Sequence, residues 1–323
     1  MVEFRPATVD DAPDVHAVTQ AAYGASPPLD PPSGALSESV DDVAAQLAEH
    51  GGLLGYDEAR PVASLRFRDE FPNDSAEAPH VVWLRRVGVV PELWRHSVGT
   101  LLVSHAHAIV ARRPDVGLLR IGVRKARPGS RRFWESLSYA ETAPHDYWDE
   151  LARVPPYFGL VTSAAEMRAL GRRLATVLSP GDVVVCSGGL GAGKTTFAQG
   201  LGGGLGVTDP ITSPTFVLAR AHRAPATSFV HADAYRLGAV SDPLGELDAL
   251  DLDATLDDAV TLVEWGEGLA ERLAVNRVEV RIDATPSPRP GLDDVDDTPR
   301  AVVIDALGPR WAGIDVRAAL TRR

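Results

Sequence analysis

The sequence predicts an α/β protein of two domains, and three observations predict it. The chain has 323 residues, more than one typical domain, with 45% apolar and 24% charged residues, the balance of a globular core. A β-branched apolar run, 182–186, follows the turn pair Pro180-Gly181 and reads as a strand. A glycine-rich stretch, 187–196, then leads into a helix-like segment carrying Phe197, Ala198 and Leu201. The expected organisation is an N-terminal α/β domain with a mixed sheet over 1–150, a linker over 151–159, and a second domain with a mainly parallel sheet over 160–323.

In the first domain, 2–7 alternates like a strand, and the acidic residues and proline of 10–14 open a helix to about 23. A proline-rich loop over 26–34 and a helix over 40–49 follow. Strands are expected over 52–57, 61–68 and 81–90, a helix over 98–112, and a strand over 118–123. Residues 142–159 hold Pro144, Pro155, Pro156 and Gly159 without an amphipathic period, which reads as a connection between domains. Residues 123–132 carry five basic groups and read as a solvated loop.

In the second domain, Thr162-Ser163 with Glu166 begins a helix to about 178, with Met167, Leu170, Leu174, Val177 and Leu178 on one face. Further strands are expected over 217–221, 229–233, 260–264, 277–282 and 300–306. Helical segments are expected over 269–273 and 316–320. The acidic stretch 241–258 reads as a solvated helix-loop, and 285–300 as a loop.

The chemistry concentrates in 188–196, where Gly188, Gly189, Leu190, Gly191, Ala192, Gly193, Lys194, Thr195 and Thr196 fit G-x-x-x-x-G-K-[ST], the phosphate-binding loop of P-loop NTPases. Glycines let backbone N–H groups curl around a phosphate at a helix N-terminus. Lys194 would neutralise β/γ oxygens of ATP, and the Thr195 hydroxyl would hold Mg²⁺. Two later strands end in acids, Asp233 and Glu264, and open parallel sheets bind ligands beyond their strands' carboxyl ends. One acid can complete the Mg²⁺ shell while the other orients or deprotonates a water. His231 and Trp265 read as core side chains, as does the lone cysteine, Cys186.

Two resemblances add to this reading. The P-loop, then Thr212-Ser213-Pro214-Thr215-Phe216, His231-Ala232-Asp233-Ala234-Tyr235-Arg236-Leu237 and Glu264-Trp265 together resemble the bacterial TsaE family of ATPases over about 160–323. The resemblance implies work with the TsaD–TsaB pair in making N6-threonylcarbamoyladenosine at position 37 of tRNA, with tRNA held by the partners. It implies Thr195 and Glu264 as Mg²⁺ ligands, Asp233 as support for water attack, Thr215 with its neighbours as a switch, and Trp265 as packing near the site. Gly189 stands where that family usually has Asp. Residues 89–102, with Val89-Val90-Pro91 and Arg95-His96-Ser97-Val98-Gly99, resemble the coenzyme A loop of the GNAT family of N-acetyltransferases over about 1–150. That implies acetyl-CoA at Val89, Arg95, Val98 and Gly99, and for the basic stretch 123–132 contact with the 3′-phosphate of coenzyme A, or with RNA, stands as the alternative to a solvated loop. Ser97 replaces the first loop glycine, Arg127 stands where asparagine is common, and Trp134 stands where that family often has a general-acid tyrosine. Both an active acetyltransferase and a domain kept for docking or packing remain open.

A net charge of −12 argues against non-specific nucleic-acid binding. No apolar run reaches the roughly 18–20 residues that span a bilayer, the start lacks a signal-peptide core, and a cytoplasmic protein without membrane partners is expected. A small-molecule kinase or a non-catalytic scaffold are the readings that compete with the ATPase.

Overall fold

In the computed structural model, which describes residues 2–71, 79–214, 219–225, 227–234, 258–265, 274–284 and 299–322, the chain divides into two units. The first comprises Met1–Glu135 with Tyr139–Pro155, and the second Ser136–Ser138 with Pro156–Arg323.

The first unit holds β1 (Val2–Ala7), α1 (Ala12–Gly24), α2 (Val40–His50), β2 (Gly52–Asp57), β3 (Arg60–Glu70) and β4 (His80–Val89). It continues with α3 (Val98–Ala111), β5 (Val116–Arg124), α4 (Pro128–Ser136), β6 (Ala140–Pro144) and β7 (Trp148–Arg153). Its seven strands lie in the order β1-β2-β3-β4-β5-β7-β6. All neighbours are antiparallel except β4 and β5. Parallel pairing of β4 with β5 runs from His80↔Val116 to Trp83↔Arg120 and stops there. Nearby, the β3–β4 register shifts between Ser64 and Arg66, and Arg86 takes a left-handed φ of 53°. Such a bulge bends its strand, so the ends of β4 and β5 part into a wedge.

Period-2 geometry assigns the helices to faces. Leu54 packs with Val15, Val18, Val43 and Leu47, placing α1 and α2 on its face. Phe4 sits opposite Gly55 in the register, one residue on and hence on the other face, and its ring meets His105 of α3 at 4.7 Å.

The second unit holds β8 (Tyr157–Val161), α5 (Ala164–Ala175), β9 (Val183–Gly188), α6 (Lys194–Leu205), β10 (Ala219–His222), β11 (Ser228–Asp233) and β12 (Ala259–Glu264). β13 (Arg277–Ala284), β14 (Arg300–Leu307) and α7 (Val316–Thr321) complete it. The strand order is β10-β11-β12-β9-β13-β14-β8. The four central strands, β11, β12, β9 and β13, run parallel, and antiparallel strands flank them. Its core joins Leu170, Leu174, Phe197 and Leu201 from α5 and α6 to Val184, Leu262 and Val280 of the sheet. Each such burial contributes about 1.5–3 kcal/mol over exposure. α5 and α6 touch through backbone: a Cβ on Gly200 would stand 2.1 Å from the Arg168 carbonyl oxygen, so glycine sets their separation.

Residues 142–159, expected without elements, instead contribute to β6, β7 and β8. These strands are five or six residues long, too short for a period-2 pattern to stand out among prolines. The strand expected over 217–221 is described as Ala219–His222. Residues 215–218, 241–257, 269–273 and 285–298, with the expectations placed on them, lie outside the described residues. Among the described residues, no helix is long and apolar enough to cross a membrane.

Candidate functional site

β9 delivers its chain into the glycine loop, where Gly191 and Gly193 take φ of 73° and 108°, values that favour glycine. Gly188 has φ 147°, and a Cβ there would lie 2.3 Å from the Ile282 carbonyl oxygen. No side chain caps α6 at Gly193. The first-turn amides of Lys194, Thr195 and Thr196 therefore point their partial positive charge toward whatever sits in the loop. Leu190, at the loop's tip, is 94% exposed.

Lys194 is buried, and its Nζ donates to the carbonyls of Gly188 at 2.8 Å and Gly189 at 3.0 Å. The ammonium also stands 3.5 Å from the centre of the Trp265 ring, a cation–π contact. Burial pushes the Lys194 ammonium below the usual lysine value, opposed by Glu264, Cys186 and Asp233.

The two acids end adjacent strands, and Asp233 pairs with Glu264 in the parallel register. Glu264 is buried, and its Oε1 accepts from Thr195 Oγ1 at 3.0 Å and bonds His231 Nε2 at 2.8 Å. Asp233, also buried, accepts from Ser213 Oγ at 3.2 Å. Lys194, Thr195 and Glu264 thus meet at one end of the sheet, and Asp233 joins them through its register with Glu264. A hydroxyl beside carboxylates is the hard-oxygen donor set that suits Mg²⁺.

His231 and Trp265, read as core, are also part of this arrangement, as the resemblance implied for Trp265. His231 is fully buried, and it is bonded to Glu264, while its Nδ1 has no partner among the described residues. Trp265 faces Lys194 from a left-handed φ of 62°, a conformation that costs a non-glycine residue about 1–3 kcal/mol. One signal for His231 was in the sequence: two residues before Asp233, it shares that strand face. Cys186 is a buried free thiol, and burial pushes it up from the ordinary thiol value.

In the first unit, Val89, Arg95, Val98 and Gly99 line one cavity of about 1280 Å³ at the β4–β5 wedge. Ser97 caps α3 from a left-handed φ of 59° without a side-chain hydrogen bond, leaving the amides of Val98, Gly99 and Thr100 as open donors. Phe133 rather than Trp134 reaches the cavity wall. Trp134 is buried edge-on between Phe133 and Tyr139. The basic stretch 123–132 is not simply solvated. Arg131 binds Glu135, Glu141 and Asp149, while Arg124 and Arg127 line the cavity and donate to the carbonyls of Pro31 and Pro27.

Strand, glycine loop and helix, with acids on the neighbouring parallel strands, define the second unit as a P-loop fold. The family described as "Threonylcarbamoyl adenosine biosynthesis protein TsaE" matches residues 161–289, and the "Acetyltransferase (GNAT) family" matches residues 22–139. A tRNA threonylcarbamoyladenosine biosynthesis protein TsaE of Streptomyces coelicolor is 51% identical over 152 residues, covering 46% of this chain and 97% of that protein. The protein of the same name from Mycobacterium bovis is 57% identical over 119 residues, covering 35% of this chain and 71% of that protein. An acetyltransferase of the GNAT family from Streptococcus pneumoniae aligns with TM-score 0.41 and 10% identity, covering 48% of this chain and 99% of that one. The chain belongs to the TsaE family through its second unit, while in the first unit residues 22–139 are similar to the GNAT family.

Proposed function

We propose that the chain is a cytoplasmic Mg²⁺-dependent ATPase that supports N6-threonylcarbamoyladenosine formation on tRNA, working with a TsaD–TsaB pair that holds the tRNA. The observation that carries this reading is the Thr195 Oγ1–Glu264 Oε1 hydrogen bond of 3.0 Å beside the buried Lys194. The loop amides of 188–196 bind the triphosphate, and Lys194 exchanges its carbonyl partners for phosphate oxygens. Thr195 and Glu264 hold Mg²⁺, which when bound neutralises charge on the phosphates. His231 keeps Glu264 turned toward Thr195. Asp233 orients the attacking water and accepts its proton. Trp265 holds the Lys194 ammonium at the loop.

Reconstitution of the full chain with TsaD, TsaB, tRNA and threonylcarbamoyl-adenylate tests this. Wild type supports repeated turnover, whereas Lys194→Ala stops near one modified tRNA per ligase complex. Equal multiple-turnover yields from the two proteins refute the assignment.

A second reading is favoured by the wedge cavity: the first unit binds acetyl-CoA, with its phosphates at the open amides of Val98, Gly99 and Thr100 and at Arg95, and transfers acetyl to an amine. These donors suit a pyrophosphate at a helix N-terminus.

A further inference from the structure

We propose that the α2-side wall of the first unit's cavity is an acceptor site for a small primary amine that carries a carboxylate or phosphate group. The proposal rests on the acetyl-CoA reading of that unit and names the class of its second substrate.

The cavity's charge is one-sided. Six arginines line it, Arg68, Arg85, Arg86, Arg95, Arg124 and Arg127, and among the described lining residues there is no Asp, Glu, His or Lys. This occurs in a chain whose net charge is −12. Among the described residues a carboxylate pairs with one of the six, Arg86, held by Glu38 at 2.8 Å. The exposed Arg68 and the half-buried Arg85 have no hydrogen-bond or ion-pair partner among the described residues, and Arg124, which donates to Pro31 through Nη2, has its Nε buried without one. Unpaired donors on the partly buried Arg85 and Arg124 are costly unless an anion completes them, and the exposed Arg68 adds its charge to the same wall.

Register places these groups on one face. Arg68 pairs with Trp83 across β3–β4, and Trp83 pairs with Arg120 across β4–β5. Strand alternation adds Arg85 on β4, and Gly122 and Arg124 on β5. Arg66, two residues before Arg68, donates to Gln46 of α2 at 3.0 Å, so this is the α2 face. The α3 N-terminus, with its open amides, belongs to the opposite layer. Acetyl-CoA phosphates at α3 therefore leave Arg68, Arg85 and Arg124 for the acceptor's anion. Gly122 has no side chain because Trp148 lies over it: an added Cβ would stand 3.0 Å from the indole. Trp83 is 6.4 Å from Trp148, and the two rings wall the space for the acceptor's carbon skeleton.

The same field supplies the nucleophile. Neighbouring guanidiniums disfavour an ammonium, so the acceptor sheds its proton to solvent without a protein carboxylate or imidazole. The amine lone pair then attacks the acetyl thioester carbonyl, the N–C bond forms, the C–S bond breaks, and the second amine proton leaves with coenzyme A as its thiol.

Two measurements on the full-length protein test the site: calorimetric binding of acetyl-CoA, and thiol release with amino acids, aminoalkyl phosphates or spermidine as acceptor. The expected result is thiol release with an anionic amine and little with spermidine. Arg85→Gln and Arg68→Gln raise KM for that amine about tenfold or more, the scale of one charge-assisted bond, and leave acetyl-CoA affinity unchanged. Preference among amino acids and aminoalkyl phosphates identifies the anion. Faster release with spermidine, an unchanged KM in both variants, or weakened acetyl-CoA binding in place of a raised KM overturns the acceptor site alone. So does acetyl-CoA binding without transfer to any anionic amine. Failure of wild type to bind acetyl-CoA overturns the cofactor reading together with it.

Discussion

Glu264 is a buried carboxylate whose Oε1 serves two donors, the Thr195 hydroxyl and the His231 ring. A buried carboxylate is held by such partners or else leaves its position. His231 therefore acts through Glu264 and is a positioning residue. His231→Ala is expected to lower partner-stimulated ATP hydrolysis about tenfold, the loss of one hydrogen bond to a charged group. ATP affinity measured without Mg²⁺ should stay unchanged. A general packing defect would weaken both together, so calorimetry alongside the rate assay separates the two.

At the scale of elements, Glu38 ties the loop before α2 to β3 and β4. Its carboxylate binds the fully buried Arg66 at 2.6 Å and Arg86 at 2.8 Å. Burial alone would raise the Glu38 carboxyl, but the bonds from Arg86 and Arg66 outweigh it and hold the group below the usual carboxylate range. A depressed folded value means the stabilisation is present above the unfolded value and is lost as pH falls through the folded one. Glu38→Gln should cost about 3 kcal/mol at pH 7, because it leaves the buried Arg66 and the partly buried Arg86 without their counter-charge. The gap in Tm from wild type should close as pH drops below the carboxylate range. A gap independent of pH would contradict the pairing.

The same scale shows what the sequence could reveal. β9, β11 and β12 were legible because each is an apolar run, and Asp233 and Glu264 close two of them at the sheet's carboxyl end. α6 was legible because Lys194 and Thr195 follow a glycine pattern that only a tight loop requires. β6, β7 and β8 were not, since their short runs become strands by pairing with distant partners, β7 against β5 and β8 against β14. His231 is the buried, satisfied histidine expected, but its partner was not legible, because an apolar neighbourhood looks like core in one dimension. Only the fold brings His231 to Glu264 and Trp265 to Lys194. The arginine wall was hidden likewise, its members spread from Arg68 to Arg127.

Over the whole molecule, each unit carries a helix N-terminus without a side-chain cap, at α3 in one and α6 in the other, and in the proposed function these amides receive phosphate. The chain's acidic balance, −12 overall, gives neither site a general attraction for anions, so binding must come from local donors. For the second unit these are the glycine-loop amides, Lys194, and the Thr195–Glu264 pair. Equilibrium binding of ATP to the full chain, with and without Mg²⁺, tests that claim most directly when wild type is compared with Lys194→Ala and Glu264→Gln. Lys194→Ala should bind ATP at least about tenfold more weakly, and Glu264→Gln should retain Mg²⁺-free binding while losing the gain that Mg²⁺ gives wild type. Identical affinities and identical Mg²⁺ responses in all three proteins would contradict the account.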